Sequence, residues 1–91
     1  MRRVALVVTP DADDVRRVIV YGPDDGGWFL FLSKTVEDEG CFADEWYESL
    51  ADVSAACRQR YGIEESMWRD VPDPEPGCMQ DRIAAVPIAS S

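Results

Sequence analysis

One stretch limits the fold more than any other: "SLADVSAACRQRYG", residues 49–62. Ser49 followed three residues later by Asp52 reads as a capping box. The hydroxyl takes the orphan amide at Asp52, and the Asp52 carboxylate reaches back to the Ser49 amide. From Leu50 onward, Val53, Cys57 and Tyr61, with Ala56 beside them, recur at three and four residues and form one apolar stripe. Arg58 and Arg60 fall in the last turn, where they oppose the negative helix end, and Gly62 supplies a left-handed stop. The spacing predicts one amphipathic helix of about three turns. A helix with a single apolar stripe needs a surface to lie on.

The segments around it supply a sheet. "RRVALVVT", 2–9, alternates with Val4, Leu6 and Val8 on one face, and "PDADD" then breaks the pattern with turn-forming residues. "VRRVIVYG", 15–22, reads as a second strand and "PDDGG", 23–27, as a turn. "WFLFLSK", 28–34, is apolar almost throughout, as a central strand covered on both faces would be. After "VEDEG", 36–40, "CFADEWY", 41–47, returns as a fourth strand, with Asp44 and Trp46 on one face and Glu45 and Tyr47 on the other. Beyond the helix, Met67 and Trp68 read as anchors. Pro72, Pro74 and Pro76 then exclude helix and central strand, so the chain should run on as an extended surface segment, with a short edge strand at 82–87. The expected fold is α+β: a small antiparallel sheet of three to four strands, one helix packed across it, and an irregular proline-rich C-terminal segment. Ninety-one residues suit one domain, 1–91, with its ordered core over about 2–70 and 71–91 extended.

Charge narrows the function. A formal net charge of −9 repels phosphate, which argues against nucleic acid and anionic membranes as partners. No run approaches the ~18 apolar residues of a membrane span, and Val4–Val8 is too short for a secretory signal. The odd number of cysteines, Cys41, Cys57 and Cys78, with no compact spacing, fits a cytoplasmic protein. Eight arginines against the single Lys34, with many Ala and Asp, suggest a bacterial chain from a GC-rich genome.

Catalytic chemistry finds little to work with. The absence of histidine removes Ser-His and Cys-His pairs and the usual zinc sites. Cys57 sits on the helix stripe as a small buried hydrophobe. Cys41 stands in acidic surroundings that raise its pKa, and Cys78 follows a loop glycine as the thiol best placed for exposure. The Asp11, Asp13, Asp14 cluster fails the EF-hand pattern, since positions six and twelve counted from Asp11 are Arg16 and Gly22. "DDGGW" lacks the lysine and following helix of a phosphate loop. No enzyme, cofactor or metal is expected.

What remains is "VEDEGCFADEWYESLAD", 36–52, with seven acidic positions and no Lys or Arg between Lys34 and Arg58. Its Glu37, Asp38, Glu39, Asp44, Glu45 and Glu48, with Trp46 or Tyr47 as aromatic anchor, form the candidate binding set for a basic protein partner. The competing reading is a solvated face around a turn and a helix start. Over 44–68 the chain also resembles a group of small bacterial proteins of unassigned function. Trp46, Ser49, Leu50, Ala56, Tyr61, Gly62, Ile63 and Trp68 carry the likeness, with Gly40 in the turn before them. The resemblance implies the strand-then-helix architecture and carries no activity. The leading expectation is a non-catalytic acidic binding module of inhibitor or immunity type. The alternative is a small accessory domain that self-associates, as a homodimer, through its apolar surface.

Overall fold

The computed structural model describes residues 1–8, 14–23 and 26–88. Four strands follow one another as an antiparallel meander: β1 (Arg2–Leu6), β2 (Arg17–Tyr21), β3 (Trp28–Ser33) and β4 (Ala43–Tyr47). Helix α1 (Leu50–Tyr61) comes next, then a single 3₁₀ turn at Glu65–Met67 and a fifth strand, β5 (Arg69–Val71). The sheet order is β4-β3-β2-β1-β5, so the sheet has five strands where three to four were expected. The addition is β5, which pairs antiparallel with β1 from Arg2↔Val71 to Val4↔Arg69. Three residues ahead of a proline are too short to show a period of two, so local pattern gave no sign of it.

The helix forms where its signals stand. Ser49 is the extended N-cap, and its Oγ accepts from the Asp52 amide at 3.1 Å. Only that half of the capping box forms among the described residues. Gly62, at φ 68°, closes the other end by donating to the Arg58 carbonyl at 3.0 Å. The buried stripe is Val53, Cys57 and Tyr61. It packs with Ala5, Val18, Val20, Leu30, Leu32 and Ile63 into the main core. Each Val, Leu or Ile among them, fully buried, contributes roughly 1.5–3 kcal/mol.

The other face of the sheet has its own core of Val4, Ile19 and Phe31, with Phe29, Tyr21, Cys41, Val71 and Ile83 packed against it. The core therefore reaches past residue 70. In β1 the buried residues come from both faces, Val4 on one and Ala5 on the other, while Leu6 at its end and Val8 beyond it are exposed. Residues 82–87 form no strand; a lone bridge joins Cys78 to Pro87.

Covering this second face without regular structure leaves backbone carbonyls that no ladder satisfies. Two buried arginines of the sheet meet that need. Arg2 donates to the carbonyls of Pro72 (2.8 Å), Gln80 (3.0 Å), Arg82 (2.6 Å) and Ile83 (3.3 Å). Arg17 donates to the Glu39 carbonyl (2.9 Å), the Asp81 carbonyl (3.4 Å) and the Asp38 carboxylate (3.2 Å). A planar guanidinium with five donors suits this work better than an ammonium would. On the helix face, Arg3 bonds Glu65 (2.7 Å) and Ser54 (3.2 Å) and lies 4.9 Å from the Trp68 ring centroid.

Candidate protein-binding surface

The acidic strip is not one surface. In β4 the side chains alternate as the sequence indicated: Asp44 and Trp46 stand opposite Phe31 and Phe29 on the second face, and Glu45 and Tyr47 stand opposite Leu30 and Trp28 on the helix face. Tyr47 packs against the main core. Its hydroxyl donates to Glu45 Oε1 at 2.7 Å, and Arg60 Nη1 donates to the same oxygen at 2.6 Å. Burial pushes the Glu45 carboxyl up, but the bonds from Arg60 and Tyr47 outweigh it and hold the pKa below its ordinary value. Burial and the neighbouring Glu45 in turn raise the Tyr47 phenol. Glu45 and Tyr47 are thus committed to tying β4 to the helix.

Asp38 is committed as well. Its oxygens accept from the Ile83 amide (2.7 Å), the Ala84 amide (2.8 Å) and Arg17. Burial raises this carboxyl, and the two amides with the Arg17 guanidinium reverse that and leave it below the usual range. Nothing in the local sequence marks Asp38 as different from Glu37 and Glu39; Arg17 is 21 residues away, and the Ile83 and Ala84 amides are 45 and 46.

The exposed remainder comprises Glu37 and Glu39 on the β3–β4 turn, and Asp44, Trp46 and Glu48 on and after β4. Trp46 is 56% exposed. Gly27, at φ +80°, lies so close under it that a Cβ there would overlap the indole. Beside it on the same face, Phe29 and Phe31 stack with centroids 6.1 Å apart and planes 6° from parallel. β4 pairs only with β3, so among the described residues its outer edge offers free backbone donors and acceptors. An exposed aromatic, an open strand edge and exposed carboxylates therefore meet at Asp44, Trp46 and Glu48.

The three thiols differ in exposure: Cys57 is buried, and Cys41 and Cys78 are both half-buried, so Cys78 is not set apart as the exposed one. Cys57 is fully buried, which pushes its pKa up to about 12. Cys41 is pushed up to about 11, first by burial and then by the Asp81 and Asp44 carboxylates. Asp81 also accepts from the Cys41 amide at 2.7 Å. Neither thiol is a nucleophile at neutral pH. Asp11 and Asp13 lie outside the described residues, and among the described residues no three His, Cys, Asp or Glu side chains gather as a metal site. No described helix is long and apolar enough to cross a membrane.

The buried arginines are what sequence reading missed. A signal was present: Arg2 falls in phase with Val4, Arg3 with Ala5 and Val7, and Arg17 with Ile19, all on faces that alternation assigns to the interior. Set beside known proteins, the chain matches no family model, no curated protein and no solved structure.

Proposed function

We propose that the chain is a non-catalytic acidic binding module that covers a basic surface on a partner protein, in the manner of an inhibitor or immunity protein. The observation that carries this reading is Trp46, a large aromatic held 56% exposed on an edge strand between the free carboxylates of Asp44 and Glu48. Buried aromatics dominate interface energetics, and the surrounding field of a chain with net charge −9 speeds encounter with a cationic partner. Glu37 and Glu39 extend the field, whereas Asp38, Glu45 and Tyr47 support the fold beneath it. Self-association through the same edge is opposed by charge, because pairing β4 with its own copy crowds the Asp44 and Glu48 carboxylates of two chains together.

The test uses tagged protein to capture partners from native lysate at low and at raised salt, in parallel with two variants. Asp44→Lys with Glu48→Lys spares the Glu45–Arg60 pair, so the fold survives; Trp46→Ala removes the anchor alone. The expected outcome is a stoichiometric basic protein that salt weakens, that the double reversal no longer captures, and that Trp46→Ala binds at least tenfold more weakly. Capture that is indifferent to both variants would sink the reading.

A further inference from the structure

At the sheet edge opposite β4, the β1–β5 pairing stops at Val4↔Arg69, where β5 begins, while β1 continues to Leu6. The space beyond is a groove of about 610 Å³ with Val4, Leu6, Val36, Met67, Arg69 and Ile83 on its walls. We propose that this groove binds a small amphipathic monocarboxylate, with its apolar body on Leu6, Val36 and Met67 and its carboxylate on Arg69.

Size and wall chemistry come first. A concavity of this volume lies in the range of small-molecule sites, which are mostly apolar with a few converging polar groups. Leu6 and Val36 expose large apolar side chains here, at 50% and 57%. A single occupant lying between them would remove both from water.

The polar groups then decide the charge of the occupant. Three ionic side chains line the groove: Arg17, Asp38 and Arg69. The Asp38 oxygens already accept three bonds, and the terminal nitrogens of Arg17 already donate three. The remaining Arg17 nitrogen, Nε, is shut off from solvent and beyond a ligand's reach. The Arg69 guanidinium has no hydrogen bond or ion pair among the described residues. The uncommitted charge of the groove is one cation. A backbone donor stands on the same edge: Val7 donates to Arg16 and Gly22 donates to Met1, so odd residues of β1 turn their backbone toward β2. Leu6 therefore turns its amide outward, past the point where β5 begins.

One free cation and one amide donor call for one anionic group, and the apolar walls call for a hydrocarbon body. Multiply charged anions are disfavoured by the net charge of −9, which a monocarboxylate meets with the least repulsion. The 36–39 turn borders both the groove and the acidic field, but Trp46 lies on β4, at the sheet edge opposite β5, so octanoate binding and partner capture are tested by separate variants.

The probes are octanoate and its uncharged counterpart 1-octanol, each titrated into the ¹⁵N-labelled full chain while amide shifts are followed. Octanoate is expected to give saturable shifts at Leu6, Val36, Met67, Arg69 and Ile83, and to bind more tightly than 1-octanol. Arg69→Ala should weaken octanoate about tenfold and leave 1-octanol unchanged, while Arg69→Lys keeps part of the difference. The spectrum of each variant reports its own folding. The proposal is overturned if octanoate shifts do not saturate, if the two probes bind the unaltered protein alike, or if Arg69→Ala leaves octanoate binding intact.

Discussion

The Asp38 carboxylate satisfies two amides of the segment that covers the second face and neutralises Arg17, which is only 3% exposed. Removing it hands both amides to water and leaves the buried Arg17 guanidinium without its counter-ion. Asp38→Ala should therefore destabilise the protein by about 2–3 kcal/mol in urea unfolding, well beyond an ordinary surface substitution. The same group fixes a pH dependence. Its folded pKa lies below the unfolded value, so its contribution is fully present above about pH 5 and is lost as the pH falls through about 4 and below. Glu45 shifts in the same direction and adds to that loss. The urea midpoint should stay level from pH 7 to about 5 and then drop, with Asp38→Asn showing a shallower drop. A midpoint that rises on acidification would contradict the assignment. Which acids of the strip are spent could not be read from sequence, because Asp38 and Glu45 answer to Ile83, Ala84 and Arg60, none of them near neighbours.

Helix α1 begins and ends where residues within a few positions of each end dictate. Its boundaries were legible for that reason. Ser49→Ala removes the side-chain bond to the Asp52 amide and should cost about 1 kcal/mol, measured by thermal or urea unfolding. Since the reciprocal bond from Asp52 is not formed, Asp52→Asn should change stability by a few tenths of a kcal/mol at most, mainly through the helix dipole. The four meander strands were legible on the same local grounds, through alternation and turn residues. β5 and the second-face cover were not. Their formation depends on partners at the far end of the chain, Arg2 with Val71 and Arg17 with Asp81, which no window of sequence brings together.

At the scale of the molecule, the sheet is covered by a helix on one face and by irregular chain on the other, and the two coverings are held differently. The helix is fastened chiefly by apolar burial, with the Glu45–Arg60 pair and the Arg3–Ser54 bond beside it. The 72–88 segment is fastened largely by side-chain donors and acceptors from the sheet and its turn. Arg2→Met keeps an unbranched apolar stem but removes four bonds to carbonyls. Limited proteolysis mapped by mass should then show first cuts within 72–88 that the unaltered protein resists, while the 43–61 unit stays intact. First cuts confined to other loops would show that Arg2 is not what fastens the segment.

The bonds from Arg2 span 70 to 81 positions of chain, whereas β1 to β4 each meet their sequence neighbour. Closing a loop that long costs more entropy than forming a hairpin, and longer closures are slower. The meander can thus assemble early, with Phe29, Phe31 and Ile19 facing water until the late closure drops Ile83 onto them. A chain caught in that interval presents an apolar sheet face to its neighbours, so its exposure to association while folding depends on how quickly Arg2 and Arg17 find carbonyls near residue 80.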